Sequence, residues 1–345
     1  MFALAQERAQ AEARVWSDER LRQIEGLSTS SEAFPDFFSA LIDDWVRDQR
    51  RLAFAWREGQ LLRSEGPAGP DSRAGWRRLW ENFWRQALIP FGLEHGAGVV
   101  ECLFENESFM HMLSWRRAID RAGLDEMARG LGAWLAGKPM PASPWRDFAR
   151  SETAGLSRQP AVHDLTLTKI GEAAAAIVGR EGTAGVTHRA VAEHAGLTLG
   201  AVSYKVPTKS ELLHIAFECL YSTGSSQLRV HLEPLTRDSD RQATLKGLAD
   251  FLSASVGNRG GDALLLAIAH QSSLSQFGPQ LRYQRGGTSR GLLQELLGGR
   301  REIGWLEGAL FSGFLTSLQR RHFDDGAHAA RAPMRLAIER LVAMV

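Results

Sequence analysis

Residues 186–213 read VTHRAVAEHAGLTLGAVSYKVPTKSELL, the densest run of positional signals in the chain. Thr187 stands where a side-chain oxygen can cap a helix running from His188 to Ala195, and Gly196 follows where a tight turn needs backbone without a Cβ. Thr198 can cap a second short helix from Leu199 to about Tyr204. Thr208 and Glu211 then have the T-x-x-E spacing of a capping box for a third helix beginning at Lys209. Val191, Ala192, Ala195, Leu197, Val202, Leu212 and Leu213 are the apolar positions that pack these helices together, and the small alanines let them approach closely. Two short helices about a glycine turn make a helix-turn-helix, a unit that reads DNA by laying its second helix in the major groove.

Working outward, Ile170, Ala173, Ala174, Ile177 and Val178 share one face of a preceding helix, with Thr166 or Thr168 as its cap and Gly182 as its stop. Residues 166–222 are thus expected to form the head. Residues 137–165, rich in Pro, Ser, Arg and Gly, read as a linker with one helical turn near Trp145 to Arg150. Residues 1–136 read as a helical body. A charged helix covers residues 1 to about 25, and a helix from Asp36 to about Leu62 buries Phe37, Phe38, Leu41, Ile42, Trp45 and Val46. The GPAGP run at 66–70 breaks the chain before an aromatic helix carrying Trp76, Trp80 and Trp84. Two further helices are expected over 98–113 and 115–135. Residues 223–345 form a second helical body, with helices about Leu245–Leu252, Ala263–Leu274, Arg301–Leu318 and Met334–Met344. No stretch alternates in the manner of a strand, so the fold class is all-α, a head between two helical bundles.

The 345 residues leave ample chain for a core, and 44% hydrophobic with 23% charged residues is the balance of an ordinary globular protein. A formal net charge of +1 excludes a generally basic coat, so DNA contact must be local. No signal peptide precedes the first charged turns and no run of about 18 apolar residues occurs, which points to a cytoplasmic protein without a membrane span. Cys102 and Cys219 are expected as free thiols.

The order Thr187, Val191-Ala192, Ala195-Gly196-Leu197-Thr198, Gly200, Tyr204 and Lys209 resembles the TetR family of transcriptional regulators over about residues 168–218. Lys205 and Val206 stand where that family often has His and Phe, and Ser203 occupies the first of its two tyrosine positions. The resemblance implies that Thr198, Leu199, Gly200 and Ala201 approach bases, while Thr187, Arg189, Ser203, Tyr204, Lys205 and Lys209 hold phosphates. It further implies a homodimer on a palindromic operator in double-stranded DNA, acting as a repressor that responds to a small-molecule effector and needs no cofactor. Residues 163–218 carry five Lys or Arg against six Asp or Glu, so affinity would rest on a few contacts and on dimer avidity.

In that family a single body follows the head, and the apolar helix Ile303 to Leu318 is the expected pairing surface of a dimer. Here a second body precedes the head. Leu52–Glu58 and Leu264–His270 occupy comparable places in the two, suggesting a tandem whose first head is lost or lies upstream of Met1. Nine of the ten tryptophans lie before residue 150. Their helical spacing suits a core, and Trp45, Trp56, Trp80 and Trp84 are also the candidates for lining a pocket for a flat apolar effector. His188 and His194 read as solvated. Among scattered carboxylates and histidines only Glu107 and His111 share i, i+4 spacing, without the third ligand of a metal site; no metal and no enzyme activity are expected. The alternative to a regulator is a helical ligand-binding or interaction module whose head no longer reads DNA.

Overall fold

Apolar periodicity near 3.6 dominates the chain, and the computed structural model is helical wherever that periodicity is strong, with no strand among the described residues. Those are residues 2–27, 30–61, 68–154, 164–220, 241–256, 260–270, 277–299 and 301–345. The N-terminal helices are α1 (Phe2–Ile24), α2 (Phe34–Arg47), α3 (Arg50–Leu61), α4 (Ala68–Ala87), α5 (Ala97–His111), α6 (Arg117–Leu135) and α7 (Pro144–Ala154). The middle of the chain holds α8 (Leu165–Gly185), α9 (His188–Ala195), α10 (Leu199–Lys205) and α11 (209–220). The C-terminal helices are α12 (Arg241–Ala254), α13 (Gly260–His270), α14 (Phe277–Tyr283), α15 (Gly287–Leu296), α16 (Trp305–Arg321) and α17 (Ala327–Met344).

Several expectations are corrected. The single helix expected from Asp36 to Leu62 is two, α2 and α3, separated at Asp48 and Gln49 with neither Gly nor Pro at the break. The bend lets Arg50 donate to the carbonyls of Met112 and Ala269 at 3.3 and 3.2 Å, a long-range reward that local propensity does not contain. Pro70 does not end a helix; it lies in the first turn of α4, where its missing N–H costs nothing. Within the stretch read as a linker, α7 is a docked helix packed against α6 and α14. Its first-turn N–H groups, from Trp145 and Arg146, donate to the buried Glu126 carboxylate at 2.9 and 2.8 Å, and residues 155–163 lie outside the described residues. Two helices, α14 and α15, were not legible; α17 begins at Ala327 and runs through Pro333, well before the expected Met334.

The two outer thirds share one continuous hydrophobic core, which also takes in Ile170, Val191, Val202 and Leu213. At its centre α5 is buried along nearly its whole length, packed by α2, α4 and α16. It carries Glu101, Glu105 and Glu107 inside, so each needs a partner. Glu105 takes Arg57 of α3 at 3.2 Å, Gln60 at 3.0 Å and the Ser317 hydroxyl of α16. Arg321 of α16 lies 2.7 Å from Glu101, and Arg320 grips Asp262 of α13 through two bonds of 2.7 Å. A second buried pair, Arg282 with Asp120, joins α14 to α6. The helix around Ile303–Leu318, expected as a dimer surface, is α16, and its face is covered by α5, α6 and α15 of the same chain. A second copy would have to use another surface.

Burial lowers the Arg57 pKa to about 10, leaving it cationic at neutral pH, while burial lifts Glu101 to about 7 against the opposing pull of Arg321. Glu105→Ala strands the Arg57 cation and is expected to cost about 3–5 kcal/mol in urea unfolding, whereas replacing Arg57 and Glu105 together by Met and Leu restores most of it. A carboxyl with a raised folded pKa stabilises fully below its unfolded value of 4.5, and that stabilisation is lost as pH rises through about 7. Glu101→Gln should flatten the fall in stability between pH 5 and 8 by no more than about 3 kcal/mol.

Candidate nucleic-acid interface

The middle helices are set by their caps. Asp164, rather than Thr166 or Thr168, caps α8 by accepting from the Thr166 and Leu167 amides at 3.0 and 3.2 Å. Gly182 interrupts α8 with φ +72°, as its role as a stop predicts. Thr187 accepts from Ala190 N at 3.1 Å and Thr198 from Ala201 N at 3.2 Å, so both cap the helices expected of them. Gly196 adopts φ +65° between α9 and α10, a left-handed conformation that a Cβ would strain. Thr208 and Glu211 make the reciprocal box: Glu211 accepts from Thr208 N at 2.9 Å, and Glu211 N donates to Thr208 Oγ1 at 3.2 Å.

These caps present one exposed surface. Thr187, Arg189, Thr198, Leu199, Gly200, Ser203, Tyr204, Lys205 and Lys209 are all exposed, and Ala201 is half-buried. Beneath them Val191, Ala192, Val202 and Val206 are buried, anchoring α9 and α10. Tyr204 is 85% exposed, which removes a core role for its ring, and Leu199 is 46% exposed. Gly200 has open space around it, so a flat surface could approach the backbone of α10 closely.

Several side chains here have tasks that sequence reading missed. Lys205 Nζ lies 2.7 Å from Asp164, the α8 cap, 41 positions earlier. The hydrogen bond to Lys205, with help from the Leu167 amide, holds Asp164 below the usual carboxylate range, and the same bond raises Lys205. Lys205 is therefore a cation already paired, while Arg189 is exposed on the preceding helix. Lys209 reaches the Ala184 carbonyl at 3.4 Å. His188 is not solvated: its Nε2 meets the Val206 carbonyl at 2.7 Å, tying α9 to the end of α10. His194, exposed, meets Arg180 through Nδ1 at 3.2 Å.

The four tryptophans proposed as pocket walls are core. Trp45, Trp56, Trp80 and Trp84 are at most 3% exposed, and Trp45 meets Trp80 edge-on at 5.0 Å between ring centres. Such aromatic pairs contribute about 0.5–1.5 kcal/mol each beyond area burial. The void that Trp56 and Trp80 border is about 40 Å³, room for a water and not for an effector. Cavities of ligand size lie elsewhere. One of about 900 Å³ runs between the end of α6, the 138–144 segment and residues 301–307; another of about 450 Å³ lies against α2 and α6. Cys102 is buried and its thiol is pushed up to about 12 by that burial, so it is inert. Among the described residues no group of three or more His, Cys, Asp or Glu could hold a metal ion, and no helix is long and apolar enough to cross a membrane.

No family model, curated protein or solved structure matches this chain.

Thr187→Ala and Thr198→Ala each remove a cap and are expected to cost about 1 kcal/mol in thermal or urea unfolding. Gly196→Ala, strained at positive φ, is expected to cost about as much or more.

Proposed function

We propose that the protein is a DNA-binding transcriptional regulator of TetR type that reads double-stranded DNA through α9 and α10 and answers to a small-molecule effector held by the surrounding helices. The observation that carries this reading is the surface of α10. Its small and hydroxyl residues, with Tyr204 and Leu199, are exposed while Val202 alone anchors the helix inward. A helix so thin on its outer face fits the major groove and leaves room for contacts to base edges, and Arg189 and Tyr204 flank it as phosphate partners. Repression of a palindromic operator by a homodimer follows from the same reading, with two heads supplying the avidity that one lightly charged head lacks.

The Lys205–Asp164 pair favours a second reading, a helical binding module whose head has lost its grip on DNA, because it withdraws a cation from the surface that phosphate would meet. One experiment separates the two. Gel-shift and footprinting on the DNA upstream of the protein's own coding sequence, at low salt, are expected to show a protected site. Arg189→Ala and Tyr204→Ala are each expected to weaken binding about 10-fold, the loss of one charge-assisted or hydroxyl contact. Asp164→Asn keeps a competent helix cap but frees Lys205, and is expected to tighten binding several-fold. No shift with the unaltered chain or with Asp164→Asn would overturn the regulator reading.

A further inference from the structure

The cavity of about 450 Å³ sits where the end of α2, the start of α3, the end of α5 and the start of α6 converge. Its wall includes Arg47, Arg50, Arg117, Arg121, His111 and Trp115. Two aspartates share the wall, but both are committed. Asp43 lies between Arg47 and Arg121, at 3.4 Å from the latter. Asp120 is held by Arg282, by the Tyr283 hydroxyl at 3.1 Å and by the Trp115 amide at 2.9 Å. Neither Arg50 nor Arg117 meets a carboxylate among the described residues: Arg50 has two backbone carbonyls and the Phe54 ring, 4.9 Å away, and Arg117 makes no hydrogen bond or ion pair there. His111 adds a side chain 6% exposed whose Nε2 faces the Glu107 carboxylate at 3.7 Å, beyond hydrogen-bond distance. Two arginines without a carboxylate partner, Arg50 and Arg117, beside an imidazole that lacks a hydrogen bond and an indole, make a site for an anion with an apolar part.

The same arginine reaches the route to the head. Arg50 Nη2 donates to the carbonyl of Ala269 in the last turn of α13. Beside it Phe54 stacks on His270 at 4.0 Å, and His270 lies 3.6 Å from Glu58, so α3 and α13 are clasped at this end. Helix α13 in turn packs along α8, the helix on which α9 is seated. An anion outcompetes a neutral carbonyl for a guanidinium, since it adds ion–ion attraction to the hydrogen bond that both can accept.

We propose that this cavity binds a small organic anion bearing a carboxylate or phosphate, and that the anion draws Arg50 away from Ala269, loosening α13 against α3 and thereby shifting α8. The proposal deepens the effector half of the function above and rests on it only for the consequence at DNA. Its test uses no DNA, so the two fail separately.

Calorimetric titration of the full chain with phenyl phosphate and with benzoate, with inorganic phosphate alongside, reads the site directly. At least one organic anion is expected to bind more tightly than inorganic phosphate, and which of the two binds names the head group. Arg117→Ala is expected to weaken that binding at least 10-fold with the melting temperature of the free protein unchanged. Arg116→Ala, whose side chain pairs with Glu152 at 3.2 Å outside the cavity, is expected to leave it unaltered. Amide exchange across 263–270 and α8 is expected to quicken when the anion is bound. Binding by neither organic anion, or by inorganic phosphate alone, or undiminished binding by Arg117→Ala, overturns the site; binding with unchanged exchange in α13 overturns the coupling.

Discussion

Helix α5 brings three glutamates into the interior of the protein, and the surrounding helices are placed to answer two of them, while Glu107 is met by Asn106 of α5 itself. Glu105 takes Arg57 from α3 and Ser317 from α16, and Glu101 takes Arg321 from α16, so partners far apart in the chain converge on a single helix. A buried carboxylate left alone is penalised by several kcal/mol, while the pair as a whole gains little over an apolar contact of the same size. The network therefore acts less as a source of stability than as a condition on assembly. The N-terminal helices can bury α5 only when α16 is in place, which accounts for the shared core. It also removes α16 from the surface, where a paired copy would otherwise be expected to find it.

The middle helices follow a different logic. Each begins on a side-chain oxygen three residues upstream of the amide it satisfies, and the turn between α9 and α10 depends on one glycine at positive φ. These contacts are local, and α9 and α10 stay short because each cap is soon followed by a stop. What the local pattern does not contain is the return of Lys205 to Asp164 and of His188 to Val206, which lock α10 to its neighbours and adjust the charge of the exposed face. The exposed surface of α9 and α10 is thus selected twice, once by caps and once by pairs closed across the fold.

Aromatic residues and charges divide the interior between them. The tryptophans of α2, α3 and α4 pack on one another and on Phe104, leaving no ligand-sized space, although several indole N–H groups are buried without partners. Open space occurs instead at the junction of α2, α3 and α6 and between the end of α6 and residues 301–307. Close packing excludes voids where apolar shapes interlock.

Periodicity and caps in the sequence were enough to determine the all-α class, the placement of α1, α5, α6 and α12, and the starts of α9, α10 and α11. These rest on interactions between residues three or four apart, which any reader of the chain can count. The break between α2 and α3, the docking of α7, the existence of α14 and α15, and the roles of Arg50, Lys205 and His188 depend on partners from 18 to more than 200 positions away. The same is true of the tryptophans, whose spacing is equally compatible with a pocket wall and with a core. Which it became was decided by what packed against them, and Val186 to Leu213, so explicit about its own helices, carried no record of the aspartate that would meet its lysine.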